Sequence, residues 1–246
     1  MLILGIETST PQTSVCLGTE QGLLASTALG RGNAHSEFLT PAVEFCLQQG
    51  RVDVAAISGV AVSLGPGLFT GMRVGIATAQ TLAHARRLPV VGMASLDLLA
   101  FGAYHVRKLV CSVLDARRGE LFWSFYRPSP GGLQRVTGFR VGPAAKLAGE
   151  IEALADDVLT VGDGACANRS LLESTGAEVA SNALAYPSAH ALVELALPRF
   201  LREETQRAED LRPTYVRKAD ARISWQNRGA LLGGKPPVVP AAHEAS

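Results

Sequence analysis

The chain has 246 residues, enough for one large domain or two small ones. With 47% hydrophobic and 18% charged residues it can bury substantial cores, which excludes an intrinsically disordered chain. A formal net charge of +1 excludes a global electrostatic pull toward nucleic acid or anionic membrane, so any RNA contact must be local or supplied by a partner.

The apolar stretch Met1 to Ile6 ends at Glu7 without a basic flank, and Val54 to Leu64 is too short to span a bilayer. Neither export nor membrane insertion is expected. The four cysteines, Cys16, Cys46, Cys111 and Cys166, are widely spaced and form no C-x-x-C pair. That argues against zinc and against a disulfide framework, and for a reduced, cytoplasmic protein.

In chain order, Leu2 to Glu7, Ser14 to Gly18 and Leu23 to Leu29 are short β-prone runs with turn residues between them, a three-strand meander. Asn33 or Ser36 is expected to cap a helix that runs to about Gln49, where Gly50 ends it. Within it Phe38, Leu39, Ala42, Val43, Cys46 and Leu47 recur at helical spacing, and Pro41 is a potential kink. Ile57 to Leu64 reads as a strand buried on both faces, followed by Gly65-Pro66-Gly67 and a helix from about Thr70. Pro89 to Met93 adds a strand, and Ser95 is placed to cap a helix from Leu96 to Tyr104.

The second half restarts with strands at Leu109 to Leu114, Glu120 to Tyr126 and Gln134 to Val141, separated by the turns Asp115 to Gly119 and Pro128 to Gly132. A helix over Pro143 to Ala155, a strand at Val158 to Val161, the turn Gly162-Asp163-Gly164 and helices near Ala165 to Ser174 and Ser188 to Glu203 complete the pattern. A meander followed by alternating helices and strands, met twice, is the order of an α/β, actin-like (ASKHA, ribonuclease H-like) fold with two related lobes. The expected divisions are residues 1–105, 106–209 and a basic tail, 210–246, partly flexible, with the boundary near Gly102 to Arg107. In the tail periodicity is lost, and Arg212, Arg217, Lys218, Arg222 and Arg228 offer either a solvated surface or a local RNA-phosphate contact.

Ser63 to Ala83 is the most informative segment, a glycine-rich strand-to-helix turn that we read as part of a protein-binding surface. Glycines there permit close approach to the backbone, and a helix start can bind an anion. The run nevertheless lacks the Gly-Lys-Ser/Thr ending of a P-loop and the G-x-G-x-x-G spacing of a dinucleotide site. Gly71, Gly75, Ala79 and Ala83 instead form a stripe of small residues four apart, which lets another helix approach closely. That helix belongs either to this chain or to another subunit; spacing alone does not separate the two.

Catalytic constellations are missing: there is no G-x-S-x-G elbow or H-E-x-x-H, and Asp156-Asp157 and Glu203-Glu204 are adjacent carboxylates at helix ends. Asp115, Arg117, Arg118 and Glu120 form a charged hairpin turn, either plain surface or a partner contact.

Leu4-Gly5-Ile6-Glu7-Thr8-Ser9, His35-Ser36-Glu37-x-Leu39-x-Pro41 and the Ser63 to Ala77 run together resemble the TsaB (YeaZ) family. The likeness continues through Pro89-Val90-Val91-Gly92, Leu114 to Glu120 and Pro213-x-Tyr215-Val216-Arg217, and spans about residues 2 to 220. The resemblance implies a non-catalytic scaffold or activator subunit for threonylcarbamoyladenosine (t6A) formation in tRNAs reading codons that begin with A. It further implies dimerisation with a TsaD-type transferase through the first two helices, a TsaE-type ATPase joining the complex, a homodimer through the same surface when alone, and tRNA met only indirectly. With the stripe, it makes His35, Phe38, Leu39, Ala42, Leu47, Gly71, Arg73, Gly75, Ala79 and Ala83 the expected partner interface; His35 is alternatively a plain helix-start residue.

No catalytic, cofactor or metal residues are expected. In the TsaD type two histidines, four residues apart after the strand matching Pro89 to Met93, hold a metal; here those places are Ser95 and Leu99, which make no such site. His84 and His105 lack ligand spacing. Glu7 stands where actin-like kinases carry an aspartate, and Gly162-Asp163-Gly164 is only a fragment of an adenosine-binding turn, both against nucleotide binding; the alternative is an actin-like, ATP-binding kinase-type enzyme that uses the glycine turns for ATP and a carboxylate for Mg²⁺ or base chemistry. A tRNA-binding module using residues 210–246 is a third option.

Overall fold

The computed structural model describes residues 1–32, 34–129 and 132–216. The expected cap Asn33 and the tail residues Arg217, Lys218, Arg222 and Arg228 lie outside the described residues. Residues 1–216 form one compact unit.

The first sheet contains β1 (Ile3–Glu7), β2 (Thr13–Thr19), β3 (Gly22–Leu29), β4 (Gly59–Ser63) and β5 (Val90–Met93) in the order β3-β2-β1-β4-β5. β1 to β3 pair antiparallel, and β1, β4 and β5 parallel. The second sheet repeats this plan with β6 (Leu109–Arg117), β7 (Glu120–Ser129), β8 (Gly132–Arg135), β9 (Arg140–Pro143), β10 (Val158–Val161) and β11 (Glu178–Val179). Its order is β11-β10-β6-β7-β8, with β9 also on β7. An antiparallel meander continued by parallel strands, made twice, is the actin-like α/β architecture.

β8 and β9 replace the single strand read over Gln134 to Val141. Between them the Thr137 hydroxyl accepts the Phe125 N–H at 3.0 Å and the Thr137 carbonyl accepts the Ser124 hydroxyl at 2.9 Å. A threonine side chain thus takes the place of a ladder partner on β7, and the strand divides.

Helices α1 (His35–Gly50) and α2 (Phe69–Arg86) cover one face of the first sheet. Leu39, Ala42 and Cys46 on α1 and Ile76, Ala79 and Ala83 on α2 close a core over Leu4, Ile6, Val60 and Val62. α1 begins without a side-chain cap, Ser36 lies inside it, and Gly50 is its last residue. The left-handed position after it is occupied by Arg51 (φ 52°), as Arg87 (φ 51°) follows α2. Ser95 likewise opens α3 (Ser95–Phe101) without capping it; its N–H and hydroxyl bond back to the Gly65 and Pro66 carbonyls.

The other helices are α4 (Ala144–Glu152), α5 (Asp163–Ala167), α6 (Arg169–Ser174) and α7 (Ala189–Leu201). Two helices cross the expected division at 105/106. From the first segment, α3 packs Leu96, Leu99 and Ala100 against Val110, Leu114 and Tyr126 of the second sheet. In return α7 lays Leu192, Val193, Ala196 and Phe200 on Ile3, Cys16, Ala61 and Val91 of the first. Each sheet needs apolar cover on both faces, and here each receives one cover from the other half of the chain. Nor does the tail begin at residue 210: Leu211 is buried in the first core, and the Thr214 N–H donates to the Leu64 carbonyl at 2.7 Å.

Candidate interaction face and the polar core behind it

β1 delivers Glu7, Thr8 and Ser9 to the first turn of α2, and the glycines of the following turn are shaped by that delivery. Thr8 donates its hydroxyl to the Gly71 carbonyl at 2.8 Å. A Cβ at Gly71 would overlap the Thr8 carbonyl oxygen, one at Gly75 the Thr8 hydroxyl, and one at Gly67 the Ser9 carbonyl. The Leu68 N–H donates to that same Ser9 carbonyl at 2.7 Å. These glycines serve a close approach to this chain's own β1–β2 turn. Gly162 in the second half is closed in the same way, with a Cβ overlapping the Val113 carbonyl.

Glu7 is fully buried. One carboxyl oxygen accepts the Ser9 N–H at 2.5 Å and the Ser9 hydroxyl at 2.6 Å; the other has no hydrogen-bond partner. Burial raises its pKa, with the hydrogen bonds from Ser9 working the other way. His35, also buried, hydrogen-bonds the Thr13 hydroxyl through Nδ1 at 2.6 Å, and desolvation lowers its pKa. Burial likewise pushes the Cys16 thiol to about 12, far from nucleophilic reactivity.

Most of the expected interface residues are buried within the chain. Gly71, Gly75, Ala79 and Ala83 face inward, against β1 and its core, as do His35, Leu39 and Ala42. The small-residue stripe is spent on close packing inside the chain. Of the expected residues, Arg73 is exposed and Phe38 and Leu47 are half-buried.

What the helices show to solvent is different. α1 exposes Phe45 and α2 exposes Phe69, at 46% and 53% of full accessibility. The Arg73 guanidinium lies 4.6 Å from the centre of the Phe69 ring, and Tyr215 stacks on the same ring with centroids 6.0 Å apart. Thr214, bonded to the glycine turn, fixes Tyr215 there. A cleft of about 470 Å³ opens beside Phe69, bounded by His35, Ser36, Thr70, Val74 and Arg117. Sequence reading misses Phe45, Phe69 and Tyr215. Their signal is available only as aromatic residues falling outside the core periodicity of their elements.

Arg117 comes from the charged hairpin, where its N–H donates to Asp115 at 2.7 Å and its guanidinium pairs with the same carboxylate at 3.1 Å. Asp163 accepts the Asp115 N–H at 3.0 Å, and burial raises the Asp163 pKa. Ser95 and Leu99, at the places of the two histidines, are buried, and the Ser95 hydroxyl is engaged by the Pro66 carbonyl. Among the described residues, no group of three or more His, Cys, Asp or Glu could hold a metal ion. His84 and His105 are exposed, one at the end of α2 and the other after α3.

A family model described as TsaD, tRNA N6-adenosine threonylcarbamoyltransferase, matches residues 31–225. The tRNA threonylcarbamoyladenosine biosynthesis protein TsaB of Bacillus subtilis (strain 168) is 30% identical over 92% of this chain and 98% of that protein. Its namesake in Escherichia coli (strain K12) is 28% identical over 92% and 97%. Among solved structures, YeaZ from Pseudomonas aeruginosa superposes with a TM-score of 0.76 at 28% identity, covering 87% of this chain and 99% of that one. With the doubled meander and the closed glycine turn, these matches agree on one assignment: the chain belongs to the TsaB (YeaZ) family.

Proposed function

We propose that this chain is a non-catalytic subunit in the formation of threonylcarbamoyladenosine in tRNA, and that it scaffolds or activates a TsaD-type transferase by dimerising with it through the outer face of α1 and α2. A TsaE-type ATPase joins through that complex, tRNA is met through the partner, and the setting is the cytoplasm. The named relatives support the pathway. No helix among the described residues is long and apolar enough to cross a membrane.

The observation that carries the interface is the solvent-facing Phe69–Arg73–Tyr215 group at the start of α2. Aromatic and arginine side chains dominate the energetics of protein interfaces, and Arg73 and Tyr215 each lie against the Phe69 ring. The named relatives do not favour the kinase-type alternative.

Isothermal titration of the chain with a TsaD-type subunit tests this. Arg73→Glu should weaken association by about tenfold or more while leaving the melting temperature unchanged. Unaltered affinity would move the interface elsewhere. Gly75→Arg, an obvious choice from the stripe, is unsuitable, since it would drive a side chain into Thr8 and unfold the chain.

A further inference from the structure

We propose that the groove between the β2–β3 hairpin and α7 binds a short apolar segment of another protein, one that carries a lysine or arginine to meet Glu194. The groove has a volume of about 550 Å³, with residues 18–23 on one side and His190, Val193, Glu194, Leu197, Pro198 and Leu201 of α7 on the other. Those positions share one side of the helix, beside the stripe that α7 lays on the sheet. The groove lies on the face of the first sheet opposite α1 and α2, so it is separate from the transferase interface proposed above.

Leu23 reaches the groove because β3 carries a bulge. Leu17 pairs with Ala25 and Gly18 with Leu23, which leaves Leu24 without an opposite residue. Ala25 belongs to the core under α1, and Leu24 lies against Gly50 at the end of α1. Two successive residues thus face α1, and Leu23 turns to the other side of the sheet, toward α7. Gly18 keeps the strand close to the helix, since a Cβ there would come within 2.8 Å of the Val193 side chain. The result is apolar surface without cover: Leu23 and Leu201 are 51% and 61% exposed, one on each side of the groove.

Charge decides what fits there. Glu20 and Glu194 line the groove, with no lysine or arginine among its lining residues. Glu20 holds the Met1 amine at 3.0 Å, whereas Glu194 is exposed and, among the described residues, has no ion pair. Pro198 adds a second acceptor: it has no N–H, so the Glu194 carbonyl lacks the bond that residue 198 would otherwise supply in the helix. Acceptors without donors, beside uncovered leucines, fit a segment that brings apolar side chains and one cation, and they repel an acidic segment. Pairing this groove with itself in a second copy would set like carboxylates together.

Panning a phage library of random dodecapeptides on the full chain tests the proposal, with the strongest binder remade as a fluorescent peptide and its affinity read by polarisation. The selected peptides should combine apolar residues with a lysine or arginine. Leu201→Asp and Glu194→Arg, both at exposed positions, should each weaken binding about tenfold or more at an unchanged melting temperature, and Arg73→Glu should leave it unchanged. Replacing the basic residue of the peptide by glutamate should restore affinity for the Glu194→Arg variant, which a merely misfolded variant would not do. No enriched peptide, peptides without a basic residue, affinity indifferent to both groove substitutions, loss through Arg73→Glu, or no restoration by the exchanged charges would each overturn the proposal. So would a change of oligomeric state in Leu201→Asp by light scattering, which would give the groove to a second copy.

Discussion

The two halves build the same sheet but cover it differently. After the parallel strand β4, the first half places α2, one helix of 18 residues. After the corresponding β10, the second places α5 and α6, of 5 and 6 residues, interrupted at Asn168, whose amide donates to the Gly164 carbonyl at 2.8 Å. Gly71 and Gly75 let α2 lie directly on Thr8, so a long straight helix can run beside α1 and offer a broad two-helix surface. The broken helix of the second half offers none of that length. Closeness inside the first half is what creates its outward face.

The sharpest break of this comparison is at the glycines. Gly71→Val or Gly75→Val should cost about 3 kcal/mol or more, read as a lowered midpoint of urea denaturation, because backbone and a buried threonine must move. Gly149→Ala, on a helix of the second half with open space around its Cβ, should stabilise by about 0.5–1 kcal/mol.

The polar core under α2 gives the next effect, and it depends on pH. Glu7 has a folded pKa above its ordinary 4.5, so the folded state holds the proton more tightly and stability falls as pH rises from that value to the folded pKa. His35 has a folded pKa below its ordinary 6.5, so the unfolded state holds the proton more tightly and stability rises as pH climbs to about 6.5. The two slopes oppose each other. Glu7→Gln should remove the falling slope and leave a steeper gain of stability with pH, measured by thermal unfolding across the acidic range. His35→Gln should do the reverse.

A smaller change sharpens the helix ends. Arg51→Gly, relieving a left-handed residue after α1, should stabilise by about 1 kcal/mol without altering partner affinity, as thermal unfolding and titration with the partner would show.

Much of this molecule can be read from its residues. β10 and the three strands of the first meander lie within a residue or two of their expected places, because turn residues and β-branched runs act locally. The exchange of α3 and α7 between sheets is not legible, since a helix's apolar face does not say which sheet it covers. The stripe Gly71, Gly75, Ala79 and Ala83 teaches the same lesson at the site. Its spacing suggests close approach by another helix, of this chain or of another subunit, whereas the atoms nearest Gly71 and Gly75 are chiefly those of Thr8 at the end of β1. Phe69 and Tyr215 come together only through the return of residues 205–216 to the first sheet, a contact across more than half the chain.

The central claim is that the partner reads the outer side of α2 and not its glycines. Calorimetric titration of a TsaD-type subunit with the double variant Phe69→Ala, Arg73→Glu tests it most directly, with thermal unfolding measured on the same sample. The account predicts a loss of affinity of about a hundredfold with the unfolding temperature preserved. Affinity equal to that of the unaltered chain, at equal stability, would contradict it.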